Sequence, residues 1–256
     1  MADHPQQNQL LAVLPQRIND RLNPHLRLVE LPLGEVIYEA GQKIRHVYFP
    51  NDCIVSLVYM TLDGHSAEVS VVGHEGIVGT WAFMGGASTT TCAIIQSAGW
   101  AYRMPACELR REFDNDAVLR MLMLTYTESL IAQSAHIAVC NRYHTIDQQL
   151  CRWLLLALDR LPTNEIIITQ ELISNLLGVR REGVTEAACK LQKLDAIRYR
   201  RGRITVLDRG KLEALCCECY AEVKKETGRL SACMTHLQPP VGRTSINHLE
   251  RMRQAG

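Results

Sequence analysis

Residues 169–206 read TQELISNLLGVRREGVTEAACKLQKLDAIRYRRGRITV, and no other stretch narrows the available folds so far. Leu172, Ile173, Leu176 and Leu177 fall at helical spacing behind Thr169, whose hydroxyl can accept from an early backbone N–H and start a helix. Gly178 ends that helix, since glycine takes the left-handed conformation at a helix end most readily. With Val179 tucked beneath the turn, a second helix leaves at a steep angle, from about Arg181 to Leu194. Its buried stripe is expected to be Val184, Ala187, Ala188, Leu191 and Leu194.

The other faces carry Arg180, Arg181, Glu182, Thr185, Glu186, Cys189 and Lys190. Arg forks onto guanine, Glu accepts from the cytosine amino group, and Thr or Lys reaches bases or phosphates. A hairpin is expected next, Ala196–Arg200 and Arg203–Val206 about a turn at Arg201-Gly202, with Ile197, Tyr199, Ile204 and Val206 as its apolar positions. Its four arginines fall within six residues uninterrupted by an acid, which makes a positive wing for phosphates. A helix-turn-helix pattern alone also occurs in proteins that never meet nucleic acid, and an arginine run is commonly a solvated face. Two helices, the glycine turn, a polar-faced second helix and a basic hairpin in that order point instead to a DNA-binding unit. Its expected contact residues are Thr169, Arg180, Arg181, Glu182, Thr185, Glu186, Lys190, Arg201 and Arg203.

A net charge of only +1 would argue against a nucleic-acid partner if it were evenly spread. It is not: residues 30–114 hold five Lys/Arg against ten Asp/Glu, and residues 178–211 hold ten against four. Positive potential is therefore concentrated on the groove-reading segment. The 256 residues, 47% of them hydrophobic, suffice for two cores. There is no uncharged apolar run of membrane-spanning length, and the opening MADHPQQNQ is polar rather than a secretory signal. A cytoplasmic location and no membrane partner are expected, and there the ten cysteines read as reduced thiols.

Leu10 to about Leu22 reads as one amphipathic helix. From Arg27 to Met104, short β-branched and aromatic runs alternate with turn residues, roughly eight strands of an antiparallel β-barrel or jelly roll. Asp114 to Cys140 is helical, with Leu119, Leu122, Tyr126, Leu130, Gln133 and Ile137 on one stripe and Val118, Met121 and Met123 beside it. Apolar on more than one face, it is expected to pack on the barrel and on a second copy of itself, making a homodimer. Asn141–His144 breaks the period as a hinge, and Thr145 with Gln148 forms a capping box for the next helix. Ile166–Ile168 is a short strand and Leu212 to about Glu226 a helix; past Gly228 a loose tail follows, with one short helix at Ile246–Arg253. The expected fold class is α+β. Residues 1–113 form the barrel, 114–144 the dimerisation helix and hinge, 145–226 the winged helix-turn-helix, and 227–256 the tail.

This order, from about Leu26 to Lys225, resembles the Crp/Fnr family of bacterial transcription regulators, most specifically at Leu176-Leu177-Gly178-Val179-Arg180-Arg181-Glu182-Gly183-Val184-Thr185-Glu186. The resemblance implies that Arg181 and Glu182 read bases in the major groove. A further reading position, often Arg in the family, is Glu186 here, which implies altered specificity at one base pair of each half-site. The expected partners are double-stranded DNA with a two-fold symmetric site, a second copy of the chain and, for an activator, RNA polymerase. The barrel resembles the family's cyclic-nucleotide-binding domain, and Gly79, Thr80, Thr90 and Thr91 fall at its phosphate cassette. Thr80 replaces the family's Glu and Thr90 its Arg, so cyclic AMP is not expected to bind in the family's manner. No cofactor is assigned and the effector is left open.

Two groups of side chains could be imagined to hold a metal. Cys216, Cys217 and Cys219 share one predicted helix and could join Cys233, but a tetrahedral site needs four convergent ligands and no paired C-x-x-C motif is present. His65 and His74 with Glu68 and Glu75 could serve a cupin-type barrel, the basis of a rival metal-dependent protein with a helical interaction module. The typical H-x-H pair is missing, so no metal is assigned. No nucleophile–base pair or Walker-type loop points to an enzyme.

Overall fold

The computed structural model describes residues 5–85 and 88–237, with side chains to residue 229. Near the N-terminus two short helices, α1 (Gln9–Val13) and α2 (Gln16–Leu22), stand where one was expected. Pro15, which has no N–H to donate, separates them.

Seven strands follow: β1 (Arg27–Leu31), β2 (Val36–Tyr38), β3 (His46–Pro50), β4 (Ile54–Met60), β5 (Ser66–Val72), β6 (Cys92–Ser97) and β7 (Gly99–Pro105). They pair antiparallel in two sheets, ordered β1-β7-β3 and β2-β6-β4-β5. The hydrogen bonds do not close a ring, so the form is jelly-roll-like. Val47, Phe49 and Met104 from one sheet and Val55, Ala93 and Ile95 from the other meet in one core, joined by Leu10, Ile18 and Leu22 of α1 and α2.

Helix α3 (Ala106–Asn115), which the sequence reading did not separate, buries Leu109 and Phe113. The long helix α4 (Ala117–Tyr143) starts three residues later than expected because Asp116 caps it, accepting from the N–H groups of Val118 and Leu119. It continues through Tyr143, so the break expected over Asn141–His144 is confined to His144, its C-cap. At 27 residues it is roughly 40 Å long. Leu119, Leu122, Met123 and Tyr126 join the sandwich core, and Ile137 farther along the helix is buried as well. The opposite face leaves Ala117, Met121, Leu124, Glu128, Ile131, Ala135 and Ala138 exposed, in alternating steps of four and three.

The C-terminal unit comprises α5 (Ile146–Leu158), β8 (Glu165–Ile167), α6 (Gln170–Leu177), α7 (Arg181–Lys193), β9 (Ile197–Arg200), β10 (Arg203–Val206), α8 (Arg209–Leu215) and α9 (Cys219–Leu237). The Thr145–Gln148 capping box is present. β10 lies between β8 and β9, and Leu154, Ile173, Leu177, Val184, Leu191 and Ile204 are among the residues of its core. Leu194 departs from its expected place in that core. It caps α7 instead of continuing it and is 49% exposed. The single helix expected at Leu212–Glu226 is two, broken at Cys216–Glu218, and the second runs past Gly228 to Leu237. The helix expected at Ile246–Arg253 lies outside the described residues.

The two units share a boundary. Ile54, Val58 and Val71 of the sandwich pack into the C-terminal core. The Ser66 hydroxyl donates to the carbonyl of Asn175 at 3.0 Å.

Candidate nucleic-acid interface

Thr169 caps α6, its Oγ1 accepting from the Leu172 N–H at 3.1 Å. Gly178, at φ 66°, lets the chain leave that helix toward α7, and a Cβ there would lie 3.2 Å from Ala67. Since α7 buries Val184, Ala187, Ala188 and Leu191, the side chains of Arg181, Glu182, Glu186, Cys189 and Lys190 face outward and Thr185 is half-buried. Its N-terminal turn has no side-chain cap on Arg180, so free N–H groups and the positive end of the helix dipole lie beside two arginines. At the wing tip Arg201 (φ 52°) and Gly202 (φ 72°) are both left-handed, as the tightest hairpin turns require. The hydroxyl of Tyr199 donates to the carbonyl of Ile168 at 3.1 Å and ties the wing to the start of α6.

These elements enclose a groove of about 360 Å³ lined by Thr169, Gln170, Arg181, Thr185, Cys189 and Arg201, among others. Four of the expected contact residues, Thr169, Arg181, Thr185 and Arg201, thus come together. Arg180, Glu182, Glu186, Lys190 and Arg203 are exposed outside the groove lining. Lys190 Nζ lies 3.1 Å from Glu186 and 3.2 Å from Asp147, and these bonds, Glu186 first, raise its pKa. Arg203 pairs with Glu165. Gln170 was missed from the sequence: its Oε1 accepts from the Thr185 hydroxyl at 3.1 Å, and as the first residue of a helix it bears no periodic signal.

The expected effector positions lie apart from the sandwich's cavity. Gly79, at φ 104°, precedes a short turn at Thr80–Ala82, and a Cβ there would come within 3.3 Å of Val47 and Ile44 side chains. Thr91 is held by its N–H to the Thr89 hydroxyl at 3.1 Å, just before β6, with Thr90 between them. None of Gly79, Thr80, Thr90 and Thr91 lines the cavity of about 480 Å³ walled by Tyr38, Lys43, Arg45, His46 and Tyr48, among others.

The cupin-type set does not converge. Glu75 is paired to Arg160, Glu68 is buried and accepts from the Ser56 hydroxyl at 2.7 Å, and the His65 side chain is 84% exposed. Cys217 and Cys219 face Cys140 and His144 of α4, whereas the Cys233 side chain lies outside the described residues.

Two sequence families match, the cyclic nucleotide-binding domain over residues 28–116 and the Crp-like helix-turn-helix domain over residues 148–215. The chain belongs to the Crp/Fnr-type transcription regulators. Regulation of transcription by DNA binding is therefore its function. Among solved structures, FixK2 from Bradyrhizobium japonicum is similar at TM-score 0.62 and 15% identity, covering 75% of this chain and 98% of that one. The c-di-GMP responsive global regulator CLP from Xanthomonas campestris gives 0.59 and 14%, covering 75% and 99%. The Crp-family transcriptional regulator TTHB099 from Thermus thermophilus gives 0.60 and 18%, covering 78% and 96%. At these identities the likeness is one of fold. No curated protein matches in sequence. No helix among the described residues is long and apolar enough to cross a membrane.

Proposed function

We propose that this Crp/Fnr-type regulator acts in the cytoplasm as a homodimer on double-stranded DNA with a two-fold symmetric site. The two copies of α7 enter successive major grooves about 34 Å apart. Arg181, Glu182 and Glu186 face base edges, Thr185 lies beside them, and Thr169, Arg180, Lys190, Arg201 and Arg203 meet phosphates. Support comes above all from the groove that sets Arg181 opposite the wing-tip Arg201. Glu186 is already paired with Lys190 through Oε1, and its other carboxylate oxygen is the one offered to a base. The exposed stripe on α4 supports dimerisation, since its 3.5-residue period is that of a coiled-coil seam. An activating role would add RNA polymerase as a partner.

Cyclic AMP is not the effector in this proposal, because threonines stand at the phosphate-cassette positions and calorimetry should detect no micromolar binding. Selection of bound sequences from a random duplex pool tests the DNA proposal. A palindrome with half-sites one helical turn apart is expected. Failure to enrich one, both alone and with added cell metabolites, refutes it.

A further inference from the structure

Four ligand atoms converge where the long helix ends. Cys140 and His144 are an i,i+4 pair at the last turn and cap of α4, a spacing that puts both on one face. Cys217, in the break before α9, and Cys219, its first residue, come to meet them. The Sγ atoms of Cys140 and Cys217 are 3.6 Å apart, and Cys219 Sγ is 3.5 Å from His144 Nδ1. All four ligand atoms lie within 4.8 Å of one another, and the three cysteines are buried. We propose that Cys140, His144, Cys217 and Cys219 bind a single zinc(II) ion in a closed site that fastens the end of α4 to the start of α9.

The spacing favours one tetrahedral ion. Zinc–sulfur and zinc–nitrogen bonds of ordinary length place neighbouring ligand atoms roughly 3.5–3.8 Å apart, which the two measured edges match. A cluster of several irons would hold its cysteine sulfurs farther apart. Four protein ligands leave no open position, so the ion is structural.

The surroundings fit as well. With Nδ1 of His144 turned to Cys219, its Nε2 lies 3.4 Å from Glu218 Oε1, the carboxylate–histidine arrangement that orients a metal-bound imidazole. Gln149 donates to the carbonyl of His144 at 2.9 Å and steadies the backbone at the end of α4. Arg152, 1% exposed, has Nε and Nη1 without hydrogen-bond partners. Its charge acts on Cys140 and Cys216 as well as on the buried Glu68 carboxylate, so it partly offsets the net negative charge of three thiolates and one zinc(II). A buried guanidinium of this kind is costly without an anion to compensate it.

Placement along the chain gives the site its role. Cys140 and His144 fall between the two family-matched segments, and Cys217 and Cys219 just after the second. The ion would therefore tie the end of α4 to the segment that follows the wing, closing a loop that contains the whole DNA-binding unit.

Mass spectrometry of the full-length protein, purified under reducing conditions, should find about one zinc per chain. Cobalt(II) exchanged into the unmodified chain should show thiolate charge-transfer and tetrahedral ligand-field bands, a readout independent of any variant's folding. Cys140→Ser and Cys217→Ser should each lower bound zinc by about tenfold or more, whereas Cys107→Ser, on the exposed face of α3, should not. Glu218→Gln should weaken zinc binding about tenfold in competition with a chromophoric chelator. The proposal is overturned by a chain that takes up neither zinc nor cobalt, by a Cys140–Cys217 disulfide in its place, by acid-labile sulfide with iron, or by full zinc content in both serine variants.

Discussion

Arg160, two residues beyond α5, meets Glu75 of the sandwich across the boundary of the two units, Nη2 to Oε1 at 2.7 Å and Nε to the same oxygen at 2.8 Å. Both side chains are nearly shut off from water, and Glu75 also accepts from the Gly73 N–H at 3.2 Å. Glu75→Ala leaves the guanidinium buried without its counter-ion, a loss of about 3–5 kcal/mol. Denaturant unfolding should show that loss. A change under 1 kcal/mol would mean that water reaches Arg160 and that the boundary opens readily.

Arg181 and Arg201 line one groove but should fail differently. Arg181→Ala is expected to cost about 1–3 kcal/mol on the selected site and to relax its base preference. Arg201→Ala should weaken all sequences alike and reduce the salt slope by about one. Titrations of specific and random duplexes at several salt concentrations separate the two. Unchanged specific binding by Arg181→Ala would remove α7 from the groove.

The stripe on α4 predicts the oligomeric state. Ile131 is 63% and Met121 54% exposed, on the face turned away from the sandwich. Ile131→Glu should convert a dimer to a monomer in analytical ultracentrifugation, with the far-ultraviolet spectrum kept. A wild-type monomer at tens of micromolar would contradict the coiled-coil seam.

Asp116 joins three elements: it ends α3 as its C-cap, caps the start of α4, and accepts from Arg17 at 2.7 Å and Arg21 at 2.9 Å, both on α2. Burial alone would raise its pKa, but the Arg21 bond, the two backbone N–H groups and Arg17 outweigh burial and hold it below the usual carboxylate range. A depressed folded pKa contributes stability above the unfolded value near 3.8, and this is lost as pH falls through the folded value. Asp116→Ala should therefore cost about 1 kcal/mol or more at pH 7, with the gap from wild type closing as pH falls below the ordinary carboxylate range. A gap independent of pH would show that packing, not charge, makes the residue matter.

Local signals in the sequence determined much of the candidate interface. Thr169, Gly178 and the Arg201-Gly202 turn act through their own backbone chemistry, and the stripe of α7 through helical period, so cap, turn and wing were legible before any fold. Helix ends followed where a cap was recognised, as at Thr145, and slipped where one was not, as at Asp116. Leu194 failed because periodicity cannot tell the last helical residue from its cap. Tertiary structure alone decided what distant segments do together. Gln170 reaches the groove through Thr185, and Glu75 finds Arg160 85 residues away. Cys140 and His144 meet Cys217 and Cys219 only because α9 packs back along α4. Spacing along a chain reports neighbours within a turn or a hairpin, whereas convergence across more than seventy residues depends on how whole elements pack.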